Sequence, residues 1–219
     1  MMDVPIKNRT VAGQGLAEQL RDYRDRDDLL VLALPRGGVP VAAEIARALD
    51  APLDLMIVRK LGLPAWEELA MGAIASGGVK VLNDDVITSH GVSEADIQKV
   101  AEKEGKELAR RDKAYRGDRP APKIEGRCVI LVDDGIATGA TMEAAIDALR
   151  RQKPREVVLA VAVAPEETLG RLRKKVDQIA CLATPEPFMA IGKWYQEFGQ
   201  TSDDEVRELL DEAWQREKS

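Results

Sequence analysis

The chain has 219 residues, with 38 acidic and 32 basic side chains, a formal net charge of −6, and 45% apolar residues. That length can bury a sizeable core as one domain, while the acidic balance disfavours a nucleic-acid partner, which needs a basic face. No apolar run approaches membrane length, the polar start Met1-Met2-Asp3 does not read as a signal peptide, and Cys128 and Cys181 read as small core residues of a cytoplasmic protein, with no Cys/His cluster for zinc.

From the start, Asn8-Arg9-Thr10 precedes a helix with Val11, Leu16 and Leu20 on one face; Arg9 is within reach of a ligand, but a surface arginine is the preferred reading. The run LLVLAL, residues 29–34, reads as a buried strand of a parallel sheet. It ends in Pro35-Arg36-Gly37-Gly38, and a helix follows through Ala42, Ile45, Ala46 and Leu49. Open parallel sheets bind ligands at this edge. Gly37 and Gly38 let the backbone approach an anion closely, and Arg36 adds a charge with fork geometry. Residues 53–58 give the next strand, ending in Arg59-Lys60. These are two cations for the same edge, or, for Lys60, a solvated side chain.

Residues 61–78 carry early helix breakers and an exposed Trp66, then a short strand over residues 71–75. Residues 79–82 and 85–88 give more short strand. The region, residues 60–90 in all, fits a hairpin-like flexible loop over the site or a plain β-meander insertion. His90, the only histidine, sits in a turn without a partner and reads as a bystander. Ser93-Glu94-Ala95-Asp96 forms a capping box for a helix running to about Tyr115. Its charges alternate in sign, as on a solvated face.

The run VILVDDGIATGATM, residues 129–142, is the most informative. Four apolar residues predict a buried strand, and Asp133 and Asp134 follow at its end. The small residues of the turn lead into a helix with Met142, Ala145, Ile146 and Leu149 at helical spacing. Such a turn offers backbone N–H groups to a phosphate. The two acids would repel a phosphate, so they suit a ribose or a cation. One ligand carrying both a phosphate and a ribose satisfies the whole stretch. Residues 156–164 and 176–183 give two further strands around a helix, and the β-α alternation predicts a doubly wound sheet. Residues 184–200 then hold half of the chain's aromatic residues, and Ser202 caps a last helix through Val206, Leu209, Leu210 and Trp214.

The apolar run, the paired acids and the turn ending in Thr-Gly-Ala-Thr resemble the signature of the type I phosphoribosyltransferases, which bind 5-phosphoribosyl 1-pyrophosphate (PRPP). The resemblance implies an α/β fold with a doubly wound, mostly parallel sheet. It implies one domain over residues 1–219, with the 60–90 insertion and a C-terminal hood and helix over 184–219. The implied activity is transfer of the 5-phosphoribosyl group of PRPP to a nitrogenous base, a purine among the candidates, with release of pyrophosphate. Ala137, Thr138, Gly139, Ala140 and Thr141 would hold the 5′-phosphate. Asp133 and Asp134 would hold the ribose hydroxyls and, through ribose and water, a Mg2+ cofactor. Arg36, Gly37, Gly38, Arg59 and Lys60 would hold the pyrophosphate. Arg36, Lys60, Asp133 and Asp134 form the implied catalytic set, acting on developing charge and not as nucleophiles.

Pro185-Glu186-Pro187-Phe188 and Gly192-Lys193-Trp194-Tyr195 resemble the hood of the purine-type members, which implies Phe188 and Trp194 at the base. The competing reading has these aromatics filling a small satellite core. Ala137 stands where hypoxanthine-guanine members carry an acid that serves the base, so this loop supplies no general base. The implied partners are PRPP and a small base, with no nucleic acid and no membrane; the oligomeric state stays open, a homodimer included. A regulator of the same fold that senses PRPP or a nucleotide without turnover is the alternative. A phosphatase- or kinase-like α/β protein with Asp133 as nucleophile is a third reading. Arg36 and Lys60 at the pyrophosphate positions favour the enzyme.

Overall fold

Apolar runs that are buried on both faces build the centre of the molecule. In the computed structural model β1 (Leu29–Ala33) and β2 (Leu53–Leu55) join β6 (Cys128–Asp133), β7 (Glu156–Val163) and β8 (Gln178–Ala183) in one parallel sheet, ordered β2-β1-β6-β7-β8. The structure describes residues 3–217; Met1 and Met2 of the polar start, and the last two residues of the 1–219 span, lie outside the described residues. The strands read as unbroken apolar runs because helices cover both faces.

Side chains alternate between the two faces. Leu29, Val31 and Ile130 pack in one core with α1 (Arg9–Gln19), α2 (Gly38–Leu49) and α7 (Asp203–Arg216). Leu30, Leu32 and Leu131 pack in the other with α5 (Ala140–Arg151) and α6 (Glu166–Leu172). Each such fully buried aliphatic side chain contributes about 1.5–3 kcal/mol.

Between β2 and β6 the chain builds a second, antiparallel sheet from β3 (Val58–Leu63), β4 (Trp66–Ala75) and β5 (Val79–Leu82). It packs with α3 (Asp84–Ser89) and α4 (Glu94–Arg116) around a small core of Leu61, Leu63, Met71 and Ile97. Two expectations change here. The strand expected over residues 53–58 divides: β2 stays in the central sheet, and Val58 already pairs with Ala75 in the second one. Arg59 and Lys60 therefore lie near the start of a strand and not at the end of one. Residues 85–88 are helical, because Asn83 caps them by accepting a hydrogen bond from the Val86 N–H, with Asp84 and Asp85 in the first turn.

Helix α4 starts at the expected cap, with the Ser93 side chain accepting from the Asp96 N–H. Its far end is pinned by Arg116, which is buried; its Nε lies 2.7 Å from Asp54 and its Nη2 donates to the Leu55 carbonyl at 2.7 Å. Among the described residues no helix is long and apolar enough to cross a membrane.

Candidate active site

Strands β1 and β6 are neighbours in register, Ala33 beside Val132, and the Leu34 N–H donates to the Val132 carbonyl. The loops that follow them, residues 35–38 and 133–139, therefore leave the sheet side by side. Their helices go to opposite faces, α2 to one and α5 to the other, which opens a crevice at the carboxyl edge. The Pro35–Arg36 peptide is cis. Gly37 lies so close to the acids that a Cβ there would stand 2.1 Å from Asp134 Oδ2, and one on Gly38 would stand 2.7 Å from the Val132 carbonyl oxygen. Two glycines are thus what lets the two loops touch. Arg36 is half-buried and turns to Asp203 Oδ1, 3.4 Å away, which also accepts from the Tyr115 hydroxyl at 2.7 Å.

Of the acids, Asp133 is half-buried and Asp134 is buried. The Asp134 N–H donates to Asp133 Oδ1 at 2.9 Å. Arg9, at the start of α1, sets its Nε 2.7 Å from Asp134 Oδ2, and the Tyr195 hydroxyl donates to the Asp134 carbonyl at 2.6 Å. Burial pushes the Asp133 carboxyl well above the usual range, and the Asp134 charge adds to the push. Burial also raises Asp134, against the Arg9 guanidinium, which lowers it. Two adjacent acids sharing one cation are poised for a further partner. Arg9 is therefore no surface arginine: its side chain is only 13% exposed, and its guanidinium lies 4.1 Å over the Phe198 ring.

Downstream, Ala137, Thr138, Ala140 and Thr141 are exposed, while Gly139 is buried with φ +81°. The Ala137 carbonyl accepts from Thr168 Oγ1 at 2.9 Å, and the Thr138 carbonyl accepts from Arg171 at 2.6 Å. Helix α6 thus holds the turn by its carbonyls. No side chain caps α5, whose first amides have no partner within the helix. That is an anion seat by construction.

Arg59, Lys60, Ala140 and Thr141 share the walls of a cavity of about 480 Å3 with Pro35 and with Arg111 of α4. Both strand cations are engaged there: Arg59 Nη2 lies 2.6 Å from Glu104, and Lys60 Nζ lies 3.3 Å from Glu68. Phe188 and Trp194 form a tilted pair with ring centroids 6.2 Å apart and pack against the main core. The Trp194 Nε1 is buried with no hydrogen-bond partner among the described residues. Phe198 stands out instead, 38% exposed and stacked on Tyr195 at 5.0 Å. The hood is held by the other end of the chain: the Ile6 N–H donates to the Trp194 carbonyl, and the Gln196 N–H to the Ile6 carbonyl, both at 2.8 Å.

Sequence reasoning missed Arg9, Tyr195, Phe198, Thr168 and Arg171. The cap signal at Asn8, which accepts from the Val11 N–H, marked where the first helix starts, but nothing local points Arg9 at a partner 125 residues away. As for a cation, no group of three His, Cys, Asp or Glu residues gathers among the described residues. Asp134 Oδ2 is already taken by Arg9, so this donor set fits a Mg2+ ligated mainly by oxygens of a ligand and water.

The family model described as phosphoribosyl transferase domain matches residues 5–191. A Mycobacterium tuberculosis protein with the provisional name phosphoribosyl transferase is 47% identical over 206 residues, 94% of this chain and 46% of that protein, so the chain spans about half the length of this relative. A hypoxanthine-guanine phosphoribosyltransferase of Streptococcus thermophilus is 28% identical over 197 residues, covering 89% of this chain and 81% of that protein. A crystal structure from Thermus thermophilus matches with a TM-score of 0.86 at 40% identity, covering 94% of this chain and 98% of that one. The chain belongs to the phosphoribosyl transferase domain family.

Proposed function

We propose that this chain transfers the 5-phosphoribosyl group of PRPP to a nitrogenous base, expelling pyrophosphate. The observation that carries the reading is the contact of Gly37 with Asp134, which sets an anion loop, an acid pair and an uncapped helix start around one crevice. The bond from C1 of the ribose to a pyrophosphate oxygen breaks, and a bond from C1 to a base nitrogen forms. Positive charge grows on the sugar and negative charge on the leaving group, so the protein must hold anions, steady the sugar and exclude water.

The amides and hydroxyls of residues 137–141 take the 5′-phosphate. Asp133, the acid that Arg9 leaves free, faces the ribose hydroxyls, and Asp134 completes the pair. Arg36 and the backbone of Gly37 and Gly38 take the pyrophosphate, with Lys60 and Arg59 turning from Glu68 and Glu104 towards it. Bound Mg2+ supplies charge neutralisation on the pyrophosphate oxygens. A purine is the first acceptor class to try, given the hypoxanthine-guanine relative.

The test is to incubate the protein with labelled PRPP, Mg2+ and a panel of bases, and to follow pyrophosphate. Base-dependent release supports the enzyme. PRPP binding without release for any base supports a sensor of the same fold, and no binding of PRPP overturns both.

A further inference from the structure

Beside the half-buried Phe188 and Trp194, the C-terminal stretch offers the acceptor a second wall. A cavity of about 340 Å3 opens between Gly37 and Asp134 on one side and residues 198–201 on the other. It is large enough for one heteroaromatic ring system. Arg36 and Gln200 also line it, and two of its lining residues, Thr201 and Arg9, are held in place with hydrogen-bonding capacity to spare. Thr201 is only 3% exposed, and its hydroxyl has no partner among the described residues. A buried hydroxyl left in that state is costly unless a ligand or a water meets it. Arg9 uses Nε on Asp134 and Nη1 on the Gly199 carbonyl at 2.7 Å, which leaves its second terminal nitrogen unengaged. Its plane is fixed by the Phe198 ring beneath it.

We infer that Arg9 and Thr201 recognise the acceptor, and that the acceptor is a planar base presenting oxo or carboxylate oxygens to them. This rests on the PRPP reading and deepens it. The direction of the preference follows from the donor and acceptor balance. Asp134 Oδ2 and the Gly199 carbonyl, acceptors of two residues that line the cavity, are both occupied by Arg9. The fixed groups left over are the Arg9 guanidinium, which can only donate, and the Thr201 hydroxyl, which donates or accepts; of the other side chains on the cavity wall, Arg36 also only donates, and the exposed Gln200 amide can turn either way. A base edge carrying an amino group would set N–H against N–H at Arg9, the one group whose plane is fixed, whereas an oxygen-bearing edge accepts from Arg9 and from the Thr201 hydroxyl together. The same arginine holds Asp134, so the acceptor end and the sugar end of the crevice share one side chain.

The test compares the full chain with Thr201→Val, Arg9→Ala and Arg9→Lys by calorimetry. Four probes are used: ribose 5-phosphate, and the 5′-monophosphates of inosine (oxo edge), orotidine (carboxylate) and adenosine (amino edge). The expected result is that inosine or orotidine monophosphate binds at least about tenfold tighter than both ribose 5-phosphate and adenosine monophosphate. Thr201→Val reduces that advantage about fivefold without changing ribose 5-phosphate binding, Arg9→Ala removes it, and Arg9→Lys keeps part of it. Tightest binding of adenosine monophosphate overturns the inference, and so does an advantage that survives both Thr201→Val and Arg9→Ala. If ribose 5-phosphate binds and no base adds affinity, the inference falls while the PRPP reading stands. If ribose 5-phosphate itself does not bind, the PRPP reading falls and takes the inference with it.

Discussion

The two ends of the central sheet treat charge in opposite ways. At the amino end, beside the starts of β1 and β7, the partly buried charges are paired. Arg26 lies 3.2 Å from Asp28 and 2.9 Å from Glu156, Arg155 lies 2.8 Å from Asp28, and the Tyr23 hydroxyl donates to Glu156 at 2.9 Å. Burial would push Asp28 up, yet the hydrogen bonds and charge of Arg26 bring it below the usual carboxylate range. Glu156 follows the same pattern, lowered against burial by Arg26 and Tyr23. At the carboxyl end, Asp133 and Asp134 stand side by side with Arg9 alone, and both carboxyls are raised. The amino end holds the fold together. The carboxyl end leaves its acids raised and short of cations, the pattern that functional sites share and the proposed reading uses.

That contrast can be broken at four points. The largest effect is expected at Arg116, which answers the buried Asp54 behind the sheet edge. Arg116→Ala leaves that carboxylate unpaired and should cost about 3–5 kcal/mol of stability. Denaturant unfolding reads it as a lower midpoint, with ligand binding by the folded fraction retained. Gly37→Ala is next and opposite in kind. Gly37 has φ −60° and ψ −31°, so an alanine meets no backbone strain there, only the Asp134 carboxylate. Pushing the two loops apart by about an ångström should weaken PRPP binding ~100-fold with little change in the unfolding midpoint. Equal binding would show that the loops need not touch.

A third effect is smaller and depends on pH. Asp28 and Glu156 have lowered folded-state pKa values, so their stabilisation is present at neutral pH and is lost as pH falls from the ordinary carboxylate range through the lowered values. Arg26→Met removes their shared cation. It should flatten that acid loss by about 1 kcal/mol, since the pair is only partly buried. Unfolding curves at neutral and acid pH check it, and an unchanged slope would mean that Arg26 is not the group holding the two acids down. Last, His90→Ala should leave stability within about 0.5 kcal/mol and ligand binding unchanged. His90 is exposed at the end of α3, where its ring lies within hydrogen-bond distance of the Ser89 hydroxyl and the Val86 carbonyl. A loss of binding there would place the site elsewhere.

How far the sequence reached follows from the range of the forces involved. Strands β1, β6 and β7 were legible because burial on both faces writes itself as an apolar run, and the caps at Ser93 and Ser202 because a hydroxyl meets an amide three residues on. The paired acids and the Arg-Gly-Gly loop were legible because they stand where those runs stop. The break between Leu55 and Val58 was not, since the apolar run continues through Met56 and Ile57 while the chain changes sheets. Residues 85–88 looked like a strand until Asn83 is seen to cap them. The aromatic stretch was visible, but not which ring turns inward: Phe188 and Trp194 meet the core, and Phe198 meets Arg9. That choice depends on a chain segment nearly two hundred residues upstream, and no local pattern carries it.

The central claim is that the carboxyl edge of β1 and β6 is where PRPP sits. Amide hydrogen exchange, with and without PRPP and Mg2+, tests it most directly. Among the described residues no side chain caps the first-turn amides of α5. Strong protection confined to residues 35–38 and 133–141 when PRPP is added is the predicted result. Unchanged exchange there, with protection appearing elsewhere, contradicts it.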